Sequence, residues 1–394
     1  MTRAWRPSLV LLLAAAGFAV AAVKEPPPRV EVRDGLGNVR AKLEAGEPVT
    51  VVYVGGSITE LPGWRDRVTR HLWRRHGEEA IRSINAGLSA TGSDVAVCRL
   101  DDEVLAREPD LVVIEFAVND AGAGPATIRA AVEGMVRKIW ARDPATDILF
   151  VYLFAPEFED AIASGARPPS IKTHESVATH YGIPSIDASV VVEGLHREGR
   201  LTLAGPKNAG EGGPEVFAPD GIHPYSHGQG IYGRAVVAGL DAIWSDSENG
   251  GGPHRLESRL SPDPWESARK VPLAAWMRGD GWRPVTGADA AGFESRAIEV
   301  FESPGEGATI EFGFRGTVLK VYEVRNIADP GQLEILVDGK PLEEDSFRPL
   351  NVGPRLRVLH VRHRFGGKKV QRVVLRAGPG IRLGDLLVRG EVVR

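Results

Sequence analysis

The chain of 394 residues has a single cysteine, Cys98, so it can form no internal disulfide and its cores must hold by burial alone. An apolar fraction of 43% with 25% charged residues excludes wholesale disorder and a membrane bundle. There is no positive excess: the formal net charge is −4, which argues against a dedicated nucleic-acid binder. No internal repeat is present, and no low-complexity tract apart from SDSENGGGP at 245–253. Past residue 300 there is no convincing helical pattern, and between Ser346 and Gly384 there is no Asp or Glu.

The first residues have the composition of an export signal. Arg3 and Arg6 precede the apolar run Leu9 to Val20, and Ala19-Val20-Ala21 supplies the small-x-small pattern of a cleavage site. The run is too short for a comfortable membrane span, and no cysteine near it could carry a lipid. Residues 1–21 are therefore expected to be a removed signal, leaving no membrane span and a secreted or periplasmic chain. Residues 22–46 form an N-terminal extension that begins with the Pro-rich spacer Lys24 to Pro28.

From 47 to 244 the pattern alternates. Val49 to Val54, Ala80 to Ile84, Leu111 to Ala117 and Ile148 to Phe154 are short apolar runs of strand length. Between them lie helical patterns at Trp64 to Arg75, Asp94 to Ala106 and Ala126 to Ala141. Fully apolar strands separated by helices imply a parallel sheet covered on both faces, hence a three-layer α/β/α sandwich. Cys98 falls inside the second helical pattern, as a half-buried structural thiol would. Residues 245–255 are a linker. From 256 to 394 come alternating strand-like segments: Ala308 to Phe314, Thr317 to Val324, Leu333 to Asp338, Leu356 to Val361, Val370 to Ala377 and Ile381 to Arg389. They predict an all-β sandwich, jelly-roll-like, as a second domain.

Ligands of parallel sheets bind beyond the carboxyl ends of the strands. There the first strand runs into Gly55-Gly56-Ser57-Ile58-Thr59, where two glycines allow a sharp turn and leave a serine hydroxyl exposed. The next strand ends in Asn85-Ala86-Gly87-Leu88-Ser89 and the third in Val118-Asn119-Asp120. Ser57 and Gly87 N–H groups and the Asn119 amide could surround one developing oxyanion. Near the end of the domain, Asp220-Gly221-Ile222-His223-Pro224 places a carboxylate and an imidazole three residues apart. Such a pair can take a serine proton and stabilise the resulting imidazolium. His227 follows four residues after His223, but Pro224 disfavours helical geometry at His223, and no glutamate lies between the two histidines as zinc proteases require. No metal and no organic cofactor are expected.

GGSIT, NAGLS, AVND and DGIHP stand in the order and approximate spacing of the blocks of the SGNH, or GDSL-like, hydrolase superfamily, which residues 47 to 243 resemble. The resemblance implies a flavodoxin-like α/β/α fold and ester or thioester hydrolysis through an acyl-serine. It makes Ser57 the nucleophile, Asp220 and His223 the rest of the triad, and Ser57, Gly87 and Asn119 the oxyanion hole. Two positions depart: the Asp of the family's Gly-Asp-Ser is Gly56, and the Gly two before the block-three Asn is Ala117. With no long apolar lid, and with a second β-domain, the chain is similar to carbohydrate esterases, so an O-acetylated poly- or oligosaccharide is the expected substrate. The alternatives are a lysophospholipase or thioesterase of the same fold and an inactive glycan-binding protein.

The acid-free stretch holds ten Arg or Lys residues, including Arg362, Arg364, Arg372 and Arg376. Arg372 and Arg376 fall on one face of a strand, a candidate surface for an anionic glycan. Because the whole triad precedes the linker, a chain ending near Asn249 is expected to act alone on a small ester.

Overall fold

The computed structural model describes residues 24–207, 213–246, 251–277, 281–286, 299–305, 307–325, 333–342, 355–361, 363 and 365–393. The sequence's apolar runs become the strands of one sheet. These are β1 (Arg29–Glu31), β2 (Val49–Gly55), β3 (Ile81–Asn85), β4 (Leu111–Glu115), β5 (Asp147–Tyr152) and β6 (Ser185–Asp187), in the order β1-β6-β5-β4-β2-β3. All neighbours are parallel except β1, which runs antiparallel to β6. β2, β4 and β5 are buried almost end to end, because helices cover both faces. The helices are α1 (Gly37–Glu44), α2 (Ser57–Glu60), α3 (Trp64–His76), α4 (Ser93–Glu103), α5 (Pro125–Arg142), α6 (Glu159–Ala163), α7 (Pro169–His180), α8 (Ser189–Arg197) and α9 (Ser226–Asp246). A small parallel pair, β7 (Leu201–Ala204) and β8 (Glu215–Ala218), precedes α9.

The second body contains β9 (Arg269–Val271), α10 (Ala274–Met277), β10 (Arg283–Pro284), β11 (Phe301–Glu302), β12 (Ala308–Arg325), β13 (Leu333–Val337), β14 (Lys340–Pro341), β15 (Arg355–His360), β16 (Gln371–Ala377) and β17 (Arg382–Val393). Its pairings are all antiparallel. The expected strands 308–314 and 317–324 are one continuous strand, β12. Its first half pairs with β16, its second with β15, and β17 follows both halves with register shifts at Gly316/Val318 and Val321/Glu323. Gly316, between the two expected strands, is a point of close approach to the neighbouring strand. Gly316 lies opposite Gly390, and a Cβ on Gly316 would stand 2.8 Å from the Gly390 Cα. The chain bends there without breaking.

The end of the linker and the segment after it are strapped to the α/β domain. The His254 N–H donates to Pro144 O (2.7 Å), and the Leu260 and Ser261 N–H groups donate to the buried Glu133 carboxylate (2.6 Å each). The Trp265 N–H donates to Ala130 O (3.0 Å). The backbone of Trp265 approaches α5 so closely that a Cβ on Gly134 would sit 2.9 Å from it. The β-body has its own core, around Phe312, Phe314, Val373 and Leu383. Its Val300, Tyr322, Val324 and Leu387 instead join the core of the α/β domain.

Candidate active site

Because β2 lies between β3 and β4, the loops after these three strands meet at one end of the sheet. Ser57 opens α2 immediately after β2. Neither Gly55 nor Gly56 has a positive φ, so the turn uses glycine for space rather than for a left-handed backbone. A Cβ on Gly56 would overlap the Asn119 side-chain amide, 2.8 Å from its Nδ2. In this chain the Asn119 amide occupies the room that a side chain at 56 would need. Gly87 is equally constrained, since a Cβ there would stand 2.5 Å from the Glu60 N at the end of α2.

Asp220 and His223 arrive from the loop between β8 and α9. Ser57 Oγ lies 2.8 Å from His223 Nε2, and His223 Nδ1 lies 2.6 Å from Asp220 Oδ2. The other carboxylate oxygen accepts the N–H groups of Ile222 (2.9 Å) and His223 (2.8 Å). Partial burial pushes the Asp220 carboxyl up, but the hydrogen bonds from the His223 N–H and imidazole and from Ile222 outweigh it and hold it below the usual range. The side chains of His223 and Asp220 remain 41% and 49% exposed, so the site opens to solvent.

The structure thus gathers Ser57, Asn119, Gly87, Asp220 and His223 at one place. The Gly87 N–H, however, already donates to Asn85 Oδ1 at 2.9 Å. Among the described residues no cluster of His, Cys, Asp or Glu is arranged to hold a metal, and His227 stacks on Tyr225. Cys98 is buried in α4, and burial pushes its thiol up to about 11. Arg372 and Arg376 do share an exposed face, but each is paired there, Arg372 with both oxygens of Glu311 (2.6 Å each) and Arg376 with Glu334. Arg362 and Arg364 lie outside the described residues.

Sequence reasoning passed over several residues around the site. Glu115, at the end of β4, is completely buried and accepts the Thr59 hydroxyl at 2.7 Å, beneath the turn that carries Ser57. Burial pushes its carboxyl up to about 8, with the Asp120 charge adding to the shift and the Thr59 and Gly56 donors opposing it. Asp120, which reads as a loop residue, is buried and holds His174 of α7 (2.8 Å) and the Ser93 N–H of α4 (2.9 Å). Arg99, wholly buried in α4, donates to Ala86 O at 2.7 Å and to Glu103 at 2.8 Å.

Residues 53–231 match the GDSL-like lipase/acylhydrolase family. The matched stretch lies within the α/β domain. No curated protein matches the chain. Among solved structures, a two-domain esterase (CEX) active on acetylated mannans, co-crystallised with mannopentaose, is 21% identical. That similarity covers 91% of this chain and 96% of that one at a TM-score of 0.72. A second structure, described as the same two-domain esterase, covers 93% and 100% at a TM-score of 0.71 and 21% identity. An acetylxylan esterase from Geobacillus stearothermophilus covers 49% of this chain and 94% of its own at 16% identity and a TM-score of 0.39. The two-domain likeness shows that both bodies of the fold recur together.

Proposed function

We propose that the protein is an exported serine ester hydrolase that removes acetyl groups from O-acetylated poly- or oligosaccharide. The observation that carries the reading is the unbroken chain of contacts from Ser57 Oγ through His223 to Asp220, open to solvent at the end of the sheet. His223 Nε2 takes the hydroxyl proton as Oγ attacks the ester carbonyl, and Asp220 orients the imidazole and stabilises its charge. The oxyanion forms beside the Ser57 N–H and the Asn119 amide. Gly87 contributes a third donor, an N–H that Asn85 Oδ1 also accepts. The protonated His223 then delivers its proton to the departing sugar oxygen, which leaves as a hydroxyl. Water, deprotonated by the same imidazole, releases acetate from the acyl-serine.

The substrate class is supported by the likeness to the mannan-active esterase, which extends over both domains. The export signal lies outside the described residues, and no helix among those described is long and apolar enough to cross a membrane. Acetate release from a panel of acetylated polysaccharides, with Ser57→Ala as control, tests the reading. Preference for long acyl chains on aryl esters would replace it with a lysophospholipase or thioesterase. Glycan binding without turnover would replace it with a binding protein.

A further inference from the structure

Helix α4 is buried on both sides. Ser93, Val95, Ala96, Val97, Cys98, Arg99, Leu100 and Glu103 are all enclosed, which a helix covering one sheet face alone does not require. On one side α4 grips both outer loops of the site. Arg99 Nη1 donates to Ala86 O (2.7 Å), and the Ser93 N–H donates to Asp120 Oδ1 (2.9 Å), next to Asn119. The Ala86 carbonyl and the Gly87 N–H belong to a single planar peptide unit. A guanidinium held on that oxygen fixes the direction of the N–H and strengthens it as a donor.

On its other side α4 is gripped by the β-domain. Lys320 of β12 pairs with Asp94 in the first turn. At the far end, the Lys270 ammonium of β9 stands 3.3 Å from Asp102, 4.0 Å from Glu103 and 3.9 Å from Asp385. The Tyr322 hydroxyl of β12 donates to Glu103 at 3.4 Å. Glu103 in turn accepts Arg99 at 2.8 Å. The Lys320, Lys270, Arg99 and Glu103 side chains are each at most 4% exposed. Charges this deeply buried keep their places only with partners and hydrogen bonds intact.

We propose that α4 is a bracket through which the β-domain positions the oxyanion loops, with Arg99, Glu103, Asp94 and Lys320 as positioning residues. The inference rests on the serine-hydrolase reading. It replaces the expectation that a chain ending near Asn249 acts alone on a small ester: the triad precedes the linker, but the support of its oxyanion loops does not.

The test uses the full chain, an aryl acetate, and an alkyl boronate, whose tetrahedral adduct on Ser57 places an anionic oxygen where the oxyanion forms. Arg99→Lys keeps a charge but, being shorter, withdraws the Nη1 donor that Ala86 O and Glu103 share. Its kcat should fall about a hundredfold with KM nearly unchanged, the size expected when one oxyanion donor is misplaced. Lys320→Met should lower kcat about tenfold, and Lys320→Arg should restore most of it. Boronate affinity should weaken in step with kcat. A purely structural defect would instead lower the fraction of binding sites and leave the affinity of the remainder intact. Arg372→Met, on the outer face of the β-domain, should leave both readouts unchanged. If Arg99→Lys does not fold, Lys320→Met decides. Unchanged kcat and boronate affinity in Lys320→Met, with Ser57→Ala inactive, would overturn the bracket alone. Activity retained by Ser57→Ala would overturn the hydrolase reading and the bracket with it.

Discussion

Two helices stand behind the site, and they face different surroundings. α3 supports the nucleophile side: the Arg65 guanidinium donates to Thr59 O at 2.9 Å, and the Trp64 N–H donates to Gln229 of α9 at 3.0 Å. Its buried stripe is Trp64, Val68, Thr69 and Leu72, while Arg70, Arg74 and Arg75 are exposed. α4 supports the oxyanion side, and where α3 meets water α4 meets a second domain. An ordinary amphipathic helix can be read from its own periodicity. A helix enclosed by two bodies cannot, because the partner that buries its charges lies more than 200 residues away in sequence, as Lys320 does from Asp94.

The contrast can be broken first at the groups the helices support. Ser57→Ala should abolish aryl acetate hydrolysis while leaving the thermal midpoint unchanged, because the serine sits in an open turn. Steady-state rates and a melting curve check both halves of that statement. On the oxyanion side, Asn119→Ala should lower kcat by about 10²–10³-fold, the usual cost of one lost donor. An unchanged kcat would remove Asn119 from the site.

Stability measurements sharpen the same comparison. Leu100→Ala in α4 should cost about 2–5 kcal/mol in urea unfolding, as a wholly buried leucine does. Arg70→Ala on the outer face of α3 should stay within about 0.5 kcal/mol. Glu115→Gln probes the floor of the site. In the folded protein this carboxyl holds its proton up to about pH 8, against an ordinary value of 4.5. The unfolded chain releases that proton earlier, so this group makes stability fall as pH rises through the window between those values. Glutamine removes that fall. Melting temperatures of variant and wild type should therefore diverge in the variant's favour from pH 5 to pH 8, and parallel curves would show that Glu115 does not titrate there. Arg372→Met should have the smallest effect, a barely moved urea midpoint, because its ion pair with Glu311 lies on the solvated face.

What the sequence disclosed follows the same division. β2, β4 and β5 are legible because burial on both faces demands unbroken apolar runs, and the four site blocks because loop chemistry needs particular residue types. The three-residue strands β1 and β6 carry too little pattern to be seen. Nothing in the sequence singles out Arg99, Glu103 or Glu115, since only tertiary contacts bury them. The arginine-rich stretch misleads for the opposite reason. Its acid-free sequence hides carboxylates on neighbouring strands, with Glu334 directly across from Arg376 and Glu311 near Arg372.

The central claim is that Ser57 attacks the ester and carries the acyl group. Rapid-quench mass spectrometry of the full chain mixed with an excess of aryl acetate tests it directly. The account predicts one acetyl group per chain, mapped to the peptide containing Ser57, formed before steady turnover and absent in Ser57→Ala. Turnover at the wild-type rate in Ser57→Ala, or acetyl accumulating on another residue at a rate that matches turnover, would contradict it.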